Sequence, residues 1–174
     1  LVVLLLLAVA GWICYGAAIN APFLYDDSRN ITDNPHIMVE ELSIDSLAGI
    51  LKSPAANRPL ANFTFALNYY LGRYDVTGYH LFNLLLHVLT AFLVYVFTRQ
   101  TLRLAGIRQP LASLLTALVW LTHPLHTQSV TYIVQRMNLL AAFFYLLALV
   151  SYIQGRIVLN RGTANSGRPA AWFG

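Results

Sequence analysis

Apolar residues come in four long runs separated by polar segments of unequal length, and that spacing predicts helices that cross a bilayer. A crossing helix takes about 20 apolar residues, and the runs lie at about 1–19, 79–97, 111–122 and 137–153. The third is short and reaches bilayer length only if its helix continues past His123 and Pro124. Between the first two runs lies a long segment, 20–78, with signals of its own. "TDNPHI" at 32–37 predicts a turn, and "SIDSLAGILKSP" at 43–54 reads as a capped amphipathic helix stopped before Pro54. "NRPLANFTFALNYYLG" at 57–72 reads as a second helix, with Pro59 in its first turn and Gly72 as its stop. Phe63, Leu67 and Tyr70 recur at helical spacing, so this helix is expected on the membrane surface or packed against the spans.

Two of the apolar runs carry polar stripes. His80, Asn83, His87 and Thr90 follow spacings of three and four, as do Ser113, Thr116, Trp120, His123 and Thr127, so each set is expected on one helix face. Polar residues inside a bilayer face protein or water rather than lipid. Two readings follow: hydrogen bonds that hold helices together, or a cavity opening outward, which suits His80, His123 and His126.

Composition fixes the class. With 57% hydrophobic and 10% charged residues and a mean hydropathy of +0.59, the chain falls among integral membrane proteins. Its single cysteine, Cys14, allows no intrachain disulfide. The basic pI of about 9.4 does not point to nucleic acid, because the charges fall where topology signals fall. Arg99, Arg103 and Arg108 sit between the second and third runs, and Arg156, Arg161 and Arg168 follow the fourth, with no acid among them; both stretches are expected to be cytoplasmic. All seven acids lie between Asp26 and Asp75, so 20–78 is expected to be an outer loop facing periplasm or organelle lumen. The chain starts inside an apolar run and stops in "RPAAWFG", so 1–174 is expected to be a fragment of one multispanning domain. A cleaved signal is not expected, since the first run lacks a basic start.

Against that frame, several residues call for a chemical reading. Asp26 and Asp27 stand side by side where the first apolar run ends. Either they cap a short turn in solvent, or one acts as a general base at the membrane face while the other orients it. Arg58 lies in the outer loop and Arg136 at the outer end of the fourth run, where the positive-inside preference gives no reason for arginine. A guanidinium suits two-point contact with a phosphate; pairing with an outer-loop acid or snorkelling is the structural alternative. His123 and His126 are three apart, but Pro124 interrupts a helical metal-ligand pair, and no metal is expected. "NIT" at 30 and "NFT" at 62 match the N-glycosylation pattern.

The ordered set "FLYDD" at 23–27, "NP" at 34–35, "NRPL" at 57–60, "YHLFNLLLH" at 79–87, "HPLHTQSVTYIVQR" at 123–136 and the apolar "MNLLAAFFYLLAL" after it resembles the N-terminal membrane part of the tetratricopeptide-repeat transmembrane O-mannosyltransferases and their bacterial relatives. The resemblance covers roughly residues 1–155. It implies an all-α, multispanning helical bundle of the GT-C glycosyltransferase type with interfacial helices in the first outer loop, the later spans and the repeat domain being absent here. It implies transfer of a sugar, mannose, from a polyprenyl-phosphate carrier to a hydroxyl acceptor such as protein Ser or Thr or a glycan, on the outer or lumenal face of a cell or endoplasmic reticulum membrane. Membrane lipid and the lipid-linked donor are the implied partners, and no cofactor is required. By the same resemblance the catalytic carboxylate falls on Asp26 and Asp27, and matched positions fall on Arg58, His80, His87, His123, His126 and Arg136; a substrate-binding role for Arg58, His80, His123, His126 and Arg136 is inferred from their chemistry. "QR" stands where glycine often precedes the family arginine. The competing reading is a polytopic transport protein or a noncatalytic scaffold; the nearly all-apolar "AFLVYVF" and "FFYLLALV" favour a site confined to the outer face over a permeation route.

Overall fold

Asp75 starts the helix that leads from the loop into the bundle by accepting a hydrogen bond from the Thr77 amide at 3.0 Å, an ordinary side-chain N-cap. The helix it opens, Val76–Leu104, has 29 residues and would span roughly 43 Å at 1.5 Å per residue. In the computed structural model, residues 1–41, 43–51 and 58–165 are described, the side chains of Leu47 and of 161–165 excepted. Among them the helices are α1 (Val2–Tyr15), α2 (Ile44–Leu51), α3 (Pro59–Gly72), α4 (Val76–Leu104), α5 (Pro110–Thr122), α6 (Thr127–Thr131) and α7 (Arg136–Asn165). The described residues include no strand. Residues 52–57, where the ends of two expected helices fall, lie outside the described residues.

Helices α4 and the Ile133–Asn160 segment are long and apolar enough to cross a membrane. Both outrun their apolar stretches, because residues such as Arg99, Gln100 and Leu102 are good helix formers and a helix does not end where its hydrophobicity does. Helix α4 ends in a Schellman turn: the Ile107 amide reaches the Leu102 carbonyl at 2.8 Å and Gly106 sits at φ +77°, a conformation that costs any other residue. Helix α5 stops at Thr122, since His123 turns extended before Pro124, so its 13 residues cover only about 20 Å.

Helices α1, α4, α5 and α7 form the bundle. The ends are fixed by contacts: the Tyr15 hydroxyl at the C-terminus of α1 donates to the Leu121 carbonyl near the C-terminus of α5 at 2.9 Å, while Gln100 and Gln154 join the far ends of α4 and α7 at 3.1 Å. Helices α1 and α5 therefore run parallel, as do α4 and α7, and the α4–α5 hairpin sets the first pair antiparallel to the second. One buried cluster, with Leu7, Leu84, Val88, Ala91, Ala117 and Leu121, fills the bundle; a second, with Ile31, Ile37, Phe65, Tyr79, Ile133 and Leu139, fixes the loop to the bundle's end. Leu5, Ile13, Leu115, Val119 and Tyr145 face outward in the open. A bundle whose outside is as apolar as its inside is at home in lipid, and the chain is an all-helical membrane protein.

Two polar or apolar stripes meet different fates. On α3 the buried side is Ala61, Asn62, Phe65 and Ala66, so the Phe63 and Tyr70 stripe, exposed at 38% and 41%, is not the face that packs against the spans. Asn62, a sequon asparagine, is 0% exposed, and a glycan there is incompatible with this packing. The α5 stripe does not converge: Ser113 is buried, Thr116 faces out and satisfies its hydroxyl on the Ala112 carbonyl at 2.9 Å, and His123 and Thr127 lie beyond the helix end.

Where α1 crosses α4, Gly11 is the close approach: a Cβ there would stand 3.0 Å from Val88 Cγ2 and 3.4 Å from Leu84 Cδ1. Gly11→Val is expected to cost about 1–3 kcal/mol by overpacking, read as a lowered unfolding temperature and as weakened cysteine cross-linking between α1 and α4.

Candidate active site

The acidic pair lies in a turn that is closed on itself and then fastened to the bundle. The Asp27 amide donates to the Leu24 carbonyl at 2.9 Å, and the Leu24 amide donates back to Asp27 Oδ2 at 2.8 Å. These reciprocal bonds hold Tyr25, between them, at φ +42°, a left-handed conformation that a bulky side chain adopts at a cost of about 1–2 kcal/mol. Phe23 anchors the turn edge-on against Tyr79 and Tyr74, at centroid distances of 5.3 and 6.4 Å.

The two carboxylates have opposite surroundings. Asp27 is 1% exposed, and its second oxygen, Oδ1, accepts from the Val134 amide at 2.8 Å. Burial raises its pKa above the ordinary 3.8; the Leu24 and Val134 amides and the His80 ring oppose that rise, and the charge of Asp26 adds to it. Asp26 is exposed, its amide donates to the Tyr132 hydroxyl at 2.8 Å, and its carboxylate has no hydrogen-bond partner among the described residues. The turn thus presents one carboxylate and uses the other as a rivet.

The rivet's counterpart is the segment 132–137. Tyr132 holds the backbone of Asp26, Val134 holds Asp27, and the Arg58 guanidinium lies against the Met137 sulfur at 2.7 Å. Arg58 is exposed at one side of a cavity of about 340 Å³ that Leu60, Ala61, Leu140 and Ala141 line with apolar surface. Met137 follows Val134 by three residues, so Arg58 and the acidic turn dock on the same short strip.

Arg136, in the same strip, points the other way. It is 0% exposed; Nε donates to Asn83 Oδ1 at 2.8 Å, one terminal nitrogen to Asn68 Oδ1 at 2.6 Å and Thr64 Oγ1 at 3.3 Å, and the other to the Tyr79 carbonyl at 2.9 Å. Phe82 and Phe65 close over it, their centroids 4.4 and 4.6 Å from the guanidinium carbon. Neither snorkelling nor pairing with an acid describes this side chain. It is the joint between α3, α4 and α7, filled with neutral acceptors, and it leaves no open face toward a ligand.

The α4 stripe is buried along its whole length, and His80, Asn83 and His87 fasten loop or helix-end backbone to the bundle while Thr90 returns its hydroxyl to the Leu86 carbonyl of its own helix. The His80 Nε2 pairs with the Ala21 carbonyl at 3.0 Å, Asn83 Nδ2 reaches the Val130 and Ile133 carbonyls at 3.4 and 3.3 Å, and His87 Nε2 meets the Leu121 carbonyl at 2.9 Å. The Ala21, Val130 and Leu121 carbonyls lie in a loop or at helix ends, where the backbone runs out of amide partners, and the Ile133 carbonyl also accepts from the Arg136 amide. His123 and His126 lie elsewhere: the His123 Nδ1 caps the Leu125 amide at 3.3 Å, and His126 packs on Trp120 at 4.3 Å, beside His87. Burial, then the neighbouring His123, lowers the His126 pKa from 6.5. The seven site residues read from the sequence therefore divide: Asp26, Asp27, His80 and Arg58 gather at the turn and its strip, Arg136 is interior, and His123 and His126 belong to a separate ring cluster. Tyr132 and Asn68 escaped sequence reasoning; only the position of Tyr132 four residues before Arg136 hinted at it.

A carboxylate-bearing turn clamped to one end of an apolar helix bundle defines a helical membrane protein with a single-ended polar site. Protein O-mannosyl-transferase TMTC4 of Homo sapiens is 33% identical over 88% of this chain and 23% of its own length. Protein O-mannosyl-transferase TMTC2 of Mus musculus and Protein O-mannosyl-transferase TMTC1 of Homo sapiens are each 33% identical, over 94% and 95% of this chain and 19% of their own lengths. The chain belongs to this protein O-mannosyl-transferase family and matches its N-terminal region. It spans about a fifth of the length of the curated relatives it matches. No family model matches the chain, and no solved structure matches it.

Proposed function

We propose that the parent protein is a multi-pass membrane glycosyltransferase that moves mannose from a polyprenyl-phosphate carrier to a serine or threonine hydroxyl of a protein, on the outer or lumenal side. The observation that carries the reading is the open carboxylate of Asp26 on a turn that Asp27 and Tyr132 immobilise. In this mechanism Asp26 takes the proton of the acceptor hydroxyl as its oxygen attacks the anomeric carbon; the bond from that carbon to the carrier phosphate breaks, and the phosphate leaves with the electron pair. Attack from the opposite side inverts the anomeric centre. Fixed positive charge stabilises such a leaving group, and the reading assigns that charge to Arg58, whose apolar-walled groove suits a prenyl chain. Arg136, sealed from solvent, is left out of substrate contact, and the reading needs no metal. The relatives, protein O-mannosyl-transferases by name, support the reaction class.

The test is transfer of radiolabelled mannose from a polyprenyl-phosphate donor to Ser/Thr peptides by the purified parent in liposomes. Arg58→Ala is expected to raise the donor KM by about 10-fold or more, the loss of one charge-assisted contact, with kcat less affected. Absence of transfer by the wild type, across several donor sugars, would overturn the proposal.

A further inference from the structure

At the end of the bundle opposite the acidic turn, the α4–α5 hairpin encloses a cavity of about 650 Å³ lined by Arg99, Arg103, Arg108, Gln109, Pro110 and Ser113, among others. Three guanidinium groups in one hollow repel each other, and an arrangement of this kind calls for an anion. This chain has none to offer. Its seven acids all lie between Asp26 and Asp75, and the nearest in sequence, Asp75, caps the other end of α4, roughly 43 Å away. The described residues contain one salt bridge, Arg73 with Glu40, and it is at the far end.

The hollow is also built, not merely surrounded. Arg99 is half-buried and braced, its terminal nitrogen donating to the Tyr95 hydroxyl at 2.9 Å and its guanidinium lying 5.8 Å from that ring. The Gly106 turn folds the chain back so that Arg108 lines the same space as Arg103. Gln109 makes no side-chain cap to α5, and Pro110 occupies its first position, so the amides at the helix start have no partner within the helix and add a positive dipole end to the lining. Polar groups dominate here, which sets this cavity apart from the apolar groove beside Arg58.

We propose that this hairpin pocket binds a phosphate group, and that the phosphate is the headgroup of an anionic lipid in the leaflet at this end of the bundle. The lipid source follows from position: the pocket sits where a 29-residue apolar helix ends, among exposed Leu104, Ile107 and Leu111, at the depth at which headgroups lie. The proposal is independent of the reaction assigned to the opposite end.

Native mass spectrometry of the full-length parent, released from vesicles of phosphatidylcholine containing phosphatidylglycerol, tests it. Phosphatidylglycerol is expected to be retained over phosphatidylcholine, and Arg103→Gln with Arg108→Gln to weaken that retention about 30-fold, near fivefold per arginine. Arg156→Gln removes the same kind of charge from α7, outside the pocket, and is expected to leave retention unchanged. Equal loss in Arg156→Gln would reduce the effect to net charge and overturn the site. So would unchanged retention in the double variant. A second arm adds glycerol phosphate or inorganic phosphate: displacement of lipid only at high concentration supports a lipid headgroup, whereas binding of the free anion as tight as that of the lipid overturns the lipid assignment. Displacement by an acidic peptide with no lipid retained would replace the lipid by a protein partner.

Discussion

Arg136→Ala is expected to destabilise the protein by about 3–5 kcal/mol, the cavity of a large buried side chain added to the acceptors it leaves unpaired, and to be the most damaging single substitution in the chain. Three consequences add. The Asn83 and Asn68 side-chain oxygens lose their donors inside the protein, where an unsatisfied acceptor costs about 1–3 kcal/mol. A side chain that is 0% exposed leaves a cavity between Phe65 and Phe82. The register of the 132–137 strip, which presents the Val134 amide to Asp27, loses its fixed point. Arg136→Lys is expected to recover little, because one ammonium cannot reach acceptors on α3 and α4 with the spread of a guanidinium. Arg136→Met, which keeps the stem and drops the donors, separates packing from polarity. Thermal unfolding of the parent in detergent micelles, followed by tryptophan fluorescence, measures all three; a methionine variant as stable as wild type would show the polar cage to be dispensable.

How much of this was legible in the sequence depends on whether a property belongs to one helix or to a contact. The apolar runs and the α4 stripe were readable because helical periodicity is local: His80, Asn83, His87 and Thr90 all prove buried on one face. What that face meets was not readable, because Ala21, Val130 and Leu121 offer backbone carbonyls, which every residue has. The stripe on α5 failed for a local reason that the sequence did contain: Pro124 forbids the continuation that would align His123 and Thr127 with Ser113. Arg136 reads in sequence as a phosphate contact, or as a cation paired with an acid or snorkelling; the neutral acceptors Asn68 and Thr64 come from a helix 68 and 72 positions earlier and carry no signature of pairing. The "FLYDD" motif was visible as chemistry, but not its division of labour, since two adjacent aspartates are equivalent until the turn places one inside.

That division yields the second large effect. Asp26→Asn is expected to lower kcat for transfer by about 10²–10⁴, the contribution of a positioned general base, with stability and donor KM near wild type because the side chain bonds to nothing in the described structure. Asp27→Asn is expected to behave in the opposite order. Asparagine keeps one acceptor oxygen and turns an NH₂ toward either the Leu24 or the Val134 amide, so one buried donor is left facing another. The expected cost is about 1–3 kcal/mol of stability, with a smaller fall in kcat that tracks the loosening of the turn. Because Asp27 has a raised pKa, the folded chain binds more protons than the unfolded one between pH 3.8 and that raised value, so this group lowers stability as pH rises through that window. The asparagine variant loses that slope, whereas Asp26→Asn keeps it. Transfer kinetics and unfolding curves on the same preparations tell the two roles apart. Full activity in Asp26→Asn beside a stable, inactive Asp27→Asn would reverse the assignment, making the buried carboxylate the base and requiring the turn to open before the acceptor binds.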